Sequence, residues 1–411
     1  MTPFLQLALA LAVIIAAAKA GGYLSFRLGQ PSVLGELLVG ILLGPSVINL
    51  LELPYFTDTH LTEAVHQLAE LGVLLLMFLA GLDLHLEDLF HAKKVAALAG
   101  VLGVVFPLLL GLGTGLLFSI DPGPAIFIGL VLSATSVSIS AQTLMELGVL
   151  RSRVGVSLLG AAVFDDILVI LGLSIFTALS SPDSGSGIWH IIRITGSMIL
   201  YLTWASAVGY WLLPRLSRRV GRLPVSQGLV AFTFVIILIY GWTAETFGHM
   251  AAITGAFLAG LWLGRTPVKD RIHSGISALA YGVFVPIFFI NIGLSANARQ
   301  LSGQSLLLML ALILVAILGK VLGSGLGAWW GGLKRQEALQ LGVGMMSRGE
   351  VGLIVAAVGI TEGLIDQNIF AAIVGVVIVT TLLTPPLLRI LHSKEIEKTE
   401  PEPERKEGEA V

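Results

Sequence analysis

Long apolar runs, parted by short polar stretches, dominate the chain. A helix that crosses a bilayer needs ~20 mostly apolar residues. Thirteen segments meet that need, near 3–25, 33–51, 67–84, 96–118, 124–147, 154–179, 189–213, 227–247, 249–264, 276–297, 305–331, 338–361 and 369–391. The weakest are 227–247 and 249–264, which almost touch. The pattern predicts an all-α polytopic membrane protein.

Basic residues give an independent check, because cytoplasmic loops are enriched in Lys and Arg. With the N-terminus outside, the inner ends and loops hold Arg27, Lys93, Lys94, Arg151, Arg153, Arg215, Arg218, Arg219, Arg222, Arg265, Lys269, Arg271, Lys334, Arg335 and Arg389. The outer loops hold only Arg193 and Arg299. One missed helix would scramble the sides after it, so thirteen spans with an N-out, C-in topology are expected.

Composition agrees. Of 411 residues 55% are hydrophobic and 12% charged, against about 25% charged in a soluble domain. The net charge of −2 says nothing about partners. Cysteine is absent, which excludes disulfides and thiolate metal chemistry, and the eight His residues lack metal-ligand spacing. No cofactor, nucleic acid or enzymatic reaction is indicated. The N-terminal MTPFLQLALALAVIIAAAKAGG has no basic residue ahead of its apolar run, so it reads as the first span rather than a signal peptide.

The arginine run RLSRRVGRLP (215–224) reads as a cytoplasmic linker between two halves. The expected organisation is an N-terminal membrane half at 1–213 (a first span plus one repeat, ending in a linking helix), the linker at 214–226 and a C-terminal membrane half at 227–392. A charged tail at 393–411 has no core-forming capacity and is expected to be disordered.

The halves resemble each other. VLGELLVGILLG (33–44) aligns with ITGAFLAGLWLG (253–264), setting Gly35, Gly40 and Gly44 on Gly255, Gly260 and Gly264. MFLAGLDLHLEDL (77–89) aligns with FINIGLSANARQL (289–301), setting Gly81 on Gly293. The offsets, 220 and 212 positions, keep the same order. Matched spans are separated by seven, an odd number, so the copies cross the membrane in opposite directions. Inverted repeats of this kind mark secondary transporters, whose sites lie near the midplane where helices break.

An ionisable residue at the bilayer centre costs ~2.5–3.5 kcal/mol by insertion scales. Asp165 and Asp166 in GAAVFDDILVIL, Lys320 in VAILGKVLGSGLG, and Arg348 with Glu350 in GMMSRGEVGLI lie well inside spans. Adjacent helix positions point ~100° apart, so one lysine cannot easily neutralise both aspartates. One may pair with Lys320, which leaves the other in need of a cation. Either a buried lysine or a buried carboxylate could carry a transported proton. Arg348 and Glu350 read better as structural, satisfying backbone groups where their helix is interrupted. SATSVSIS (133–140) crowds Ser133, Thr135, Ser136, Ser138 and Ser140 into one span. Such hydroxyls can re-satisfy an unwound stretch and ligate an alkali cation; packing between helices is the competing use. The remaining glycines read as packing residues, with Gly160 set for a close helix approach.

QPSVLGELLVGILLGP (30–45), SATSVSI (133–139), LGAAVFDDILVI (159–170), PIFFINIGL (286–294), ILGKVLGSGLGA (317–328) and SRGEVGLIVAAVG (347–359) resemble the monovalent cation:proton antiporter-2 family, in particular its bacterial NapA-type sodium/proton antiporters. The resemblance spans roughly 20–390. It implies a homodimer in a bacterial plasma membrane, each subunit with a dimerisation domain and a mobile core whose fifth and twelfth spans are broken and cross. It further implies that Asp166 is the main cation- and proton-binding carboxylate. Asp165 would share the bound Na⁺ and pair with Lys320 when no cation is present, with Thr135 and Ser136 beside the site. Two aspartates imply electrogenic exchange. Phe164 stands where a smaller aliphatic residue is usual.

The expected function is therefore exchange of Na⁺ or Li⁺ for protons by alternating access. A potassium/proton antiporter is the nearest alternative, followed by a sodium-coupled organic anion symporter and a passive channel. An intramembrane aspartyl protease is disfavoured, since adjacent aspartates cannot face each other across a water and GLDL at 81–84 is not its GxGD motif.

Overall fold

The computed structural model describes residues 2–84, 86–180, 187–295, 303–349, 352, 355–356, 359 and 363–396. Among them every regular element is helical. In a bilayer each backbone group must be satisfied internally, and a helix does this within one segment. Nine described helices are long and apolar enough to cross a membrane, or ten if Ile192–Trp211 and Leu213–Val220, bent by 42°, form one span. The outer surface is apolar to match: Leu109, Leu200, Leu310, Leu314 and Trp330 are each more than half exposed. The chain is an integral multi-pass membrane protein.

The first helices are α1 (Pro3–Arg27), α2 (Ser32–Leu43), α3 (Leu61–Asp83) and α4 (Leu86–Leu117). Thr2 caps α1 through the Leu5 amide, and Pro3 opens the helix, where its missing N–H costs nothing. The second predicted span, 33–51, is cut short. Helix α2 ends at Leu43, because the following Gly44–Pro45 cannot continue it.

The fifth predicted span is two half-helices, α5 (Pro122–Ser133) and α6 (Val137–Glu146), with Ala134 to Ser136 unwound between them. Then come α7 (Arg153–Ser180), α8 (Gly187–Trp211), α9 (Leu213–Val220), α10 (Gly228–Thr246) and α11 (Ala252–Leu263). The arginine run is thus partly helical: α9 buries Leu213 and Ser217 while its arginines stay outward. Helix α12 (Lys269–Leu279) passes through a π-turn at Ala280–Phe284 into α13 (Val285–Leu294). The last are α14 (Gly303–Gly331), α15 (Arg335–Gly344) and α16 (Gln367–Ile396). Residues 397–411, most of the expected tail, lie outside the described set.

Glycines set the closest approaches. On α14, Gly319, Gly323, Gly327 and Gly331 recur every fourth residue, and a Cβ on each would strike α4 within 2.9 Å. This is a small-residue stripe that lets two backbones touch. The glycines matched between the halves also lie at contacts. A Cβ on Gly35 of α2 would meet Gly21 of α1 at 2.0 Å, and one on Gly255 of α11 would meet Tyr240 of α10 at 2.1 Å. Gly40 lies against Ile290 of α13, and Gly260 against Phe78 of α3. Each of α2 and α11 therefore packs on the helix before it and on a helix from the other half.

Candidate ion site at two interrupted helices

Helix α4 packs against both α7 and α14, and its glycines open the space in which their charges meet. A Cβ on Gly100 would lie 2.6 Å from the Phe164 Cβ and 2.9 Å from the Ala161 carbonyl on α7. One on Gly103 would lie 2.2 Å from Ser324 Oγ and 3.8 Å from Lys320 Nζ on α14. Through this gap Lys320 Nζ donates to Asp165 Oδ1 at 2.6 Å, with both side chains fully buried. The bond is charge-assisted and short.

Asp166, one position on, turns toward α11. Its carboxylate Oδ2 lies 3.5 Å from the Thr254 hydroxyl, the outer limit of a hydrogen bond, and Asp166 is 9% exposed. The two aspartates thus diverge as their adjacent helical positions require.

Thr135, in the unwound stretch between α5 and α6, lies beside Asp165. Neither Thr135 Oγ1 nor Asp165 Oδ2 completes a well-formed hydrogen bond among the described residues. The Thr135 hydroxyl and the Asp165 carboxylate therefore set buried oxygens side by side, hard ligands of the kind that a small cation takes.

A second interruption meets the first. After α15, residues 347–349 leave the helical conformation. The Ser136 amide donates to the Ser347 carbonyl at 2.9 Å, and Ser347 Oγ returns a bond to the Ser136 carbonyl at 2.5 Å. Ser140 Oγ donates to the Gly344 carbonyl and lies 3.2 Å from Ser347 Oγ. Arg348, only 1% exposed, reaches three carbonyls: Met346 at 2.5 Å, Leu132 at 2.6 Å and Ala316 at 3.1 Å. The first two lie at the C-terminal ends of α15 and α5, where unpaired carbonyls concentrate negative charge. Thr381 of α16 donates to the Arg348 carbonyl. Arg348 thus hydrogen-bonds backbone carbonyls beside both helix breaks. Glu350, its expected companion, lies outside the described residues.

The structure brings Asp165, Asp166, Lys320, Thr135, Ser136 and Arg348 into one buried region. Sequence reasoning missed Thr254, Ser347 and the opening made by Gly100 and Gly103. Thr254 lies 88 positions from Asp166, and no local pattern marks it.

A multi-pass helical protein with buried charges gathered where two helices are interrupted has the build of a secondary transporter. The chain belongs to the sodium/hydrogen exchanger family: the profile described as "Sodium/hydrogen exchanger, transmembrane" matches residues 10–393. It is 39% identical over 380 residues to the Na(+)/H(+)-K(+) antiporter GerN of Bacillus cereus, covering 92% of this chain and 94% of that protein. It is 35% identical to the Na(+)/H(+) antiporter of Enterococcus hirae, covering 93% and 97% of the two chains. A solved structure of the sodium proton antiporter MjNhaP1 from Methanocaldococcus jannaschii superposes with a TM-score of 0.64 at 17% identity, covering 95% of this chain and 97% of that one. This likeness shows a shared fold.

Proposed function

We propose that the protein exchanges Na⁺ or Li⁺ for protons across a bacterial plasma membrane, with Asp166 and Asp165 as the ion site. The observation that carries this reading is the buried Asp165–Lys320 pair, with Asp166 next to it at the meeting point of two interrupted helices. Lys320 bonds to Asp165, and Asp166, which faces Thr254, is the carboxylate that a proton or a cation would occupy.

The mechanism follows from competition. A proton and a cation cannot both occupy Asp166, so loading one expels the other. A cation that also draws in Asp165 takes it from Lys320, whose ammonium then sheds its proton. On unloading, Lys320 regains a proton and the pair reforms. A doubly anionic site would carry unpaired charge through the apolar barrier, at a cost of several kcal/mol. Exchange is therefore obligatory, and more than one proton per cation makes it electrogenic. Thr135 and Ser136 serve as unwound-helix ligands and Arg348, with Glu350, as the supporting polar pair.

The finer architecture belongs to the same reading: thirteen spans, N-out and C-in, built as two inverted repeats around the linker at 214–226. The exchanged partners of the matched glycines support the repeats. A homodimer with a mobile core in each subunit completes it. Potassium is the second reading, favoured by the name of the Bacillus cereus relative, Na(+)/H(+)-K(+) antiporter, which includes K⁺.

The test uses purified protein in sealed liposomes holding a pH dye. After a pH gradient is imposed, Na⁺ or Li⁺ should collapse it, and Asp166→Asn should abolish the response. A response to K⁺ alone would move the reading to potassium exchange, and no response to any cation would overturn it.

A further inference from the structure

Helix α11 faces the ion site without belonging to the interrupted helices. It packs chiefly against α3 and α10, and a small cavity separates its first turn from α7. Among the described residues that line this cavity, two are polar, Asp166 and Thr254; the others, such as Met77, Val137, Ala162 and Phe257, are apolar. Thr254 is 3% exposed, so its hydroxyl is held inside the protein rather than in lipid or water.

The separation of Thr254 Oγ1 from Asp166 Oδ2 is 3.5 Å, long for a hydrogen bond between a hydroxyl and a carboxylate. It fits two ligands of one cation. Na⁺ nearly matches Ca²⁺ in radius, and oxygens bind an ion of that size at ~2.3–2.6 Å, so two ligands at right angles lie roughly 3.3–3.7 Å apart. Li⁺ is close in size to Mg²⁺, with ligands at ~2.0–2.1 Å, and its right-angle spacing shrinks to roughly 2.8–3.0 Å. K⁺ is larger than Na⁺ and spreads the pair further.

We infer that Thr254 is a specificity-determining cation ligand, supplied by α11 to an ion held on Asp166 in the conformation described here. The inference rests on the exchange reading above and deepens it. Without a cation the hydroxyl donates to the carboxylate; with one, the hydroxyl turns and offers a lone pair. In this conformation the oxygen spacing favours Na⁺ over Li⁺ and K⁺. When the core carries Asp166 away from α11 the ligand is lost, so the contact acts on one face of the membrane and not on the other.

The experiment reconstitutes wild-type protein, Thr254→Val and Thr254→Ser, and reads cation-driven proton movement in right-side-out and inverted vesicles. Valine keeps the shape and removes the oxygen. Loss of one polar contact should raise the KM for Na⁺ about tenfold on one face, raise that for Li⁺ less, and hold the maximal rate within about twofold. Serine should recover most of the Na⁺ affinity. A KM for Na⁺ unchanged on both faces, shifted equally on both, or joined to a collapse in maximal rate would overturn the inference. Wild-type vesicles that move no protons with any cation would overturn the exchange reading itself. If Thr254→Val fails to reach the membrane, Thr254→Ala against Thr254→Ser gives the same contrast.

Discussion

Asp165 and Lys320 bond at 2.6 Å across a gap that two glycines of a third helix keep open. Their contact depends on α4 as much as on the two charges, and the consequences for stability can be measured separately from transport.

Removing one partner leaves the other charged and buried. Lys320→Ala should cost about 3–5 kcal/mol of stability, while a double variant that also carries Asp165→Asn should recover much of it. Thermal unfolding in detergent, run as a double-mutant cycle, reads the coupling. Additive losses would mean that the pair does not interact in the folded protein.

The glycines give a sharper contrast. Gly100→Val would drive a Cβ into the Ala161 carbonyl and Phe164, at 2.9 and 2.6 Å, and overpacking of this kind costs about 1–3 kcal/mol. Gly113, on the same helix, has nothing within 4 Å of an added Cβ. Gly113→Ala should therefore be neutral or stabilise by about 0.4–1 kcal/mol. Equal effects at the two sites would contradict the proposed packing of α4.

Arg348 bonds to three carbonyls from three parts of the chain. Lysine keeps the charge but is a compact point donor and cannot reproduce the spread of a guanidinium. Arg348→Lys should lower stability by about 3–6 kcal/mol, two lost bonds to a charged group. A variant with wild-type unfolding temperature would show that solvent or other groups already satisfy those carbonyls.

Much of this was legible in the sequence because a membrane punishes buried polarity so strongly. Asp165, Asp166, Lys320 and Arg348 stand out against apolar neighbours, and the hydroxyl cluster at 133–140 marks the unwound stretch that the structure places at 134–136. The predicted span 33–51 exceeds the helix Ser32–Leu43 because apolar character continues past Gly44–Pro45, where helical geometry cannot. The arginines of the linker dominate its composition and hide a short amphipathic helix that buries Leu213. Thr254 was invisible for a different reason. One threonine in ITGAFLAG looks like a packing residue, and only tertiary proximity sets it opposite Asp166. The alignment of the two halves rests on their glycines, whereas the partners of those glycines emerge only when the helices are packed.

The central claim is that a cation and protons compete for the same carboxylates. Transient currents from reconstituted protein, recorded after Na⁺ jumps at a series of pH values, test it most directly. Where one proton competes, the apparent KM for Na⁺ should fall about tenfold per unit rise in pH, and Asp166→Asn should give no current. A KM for Na⁺ that does not change with pH, or currents that persist in Asp166→Asn, would contradict it.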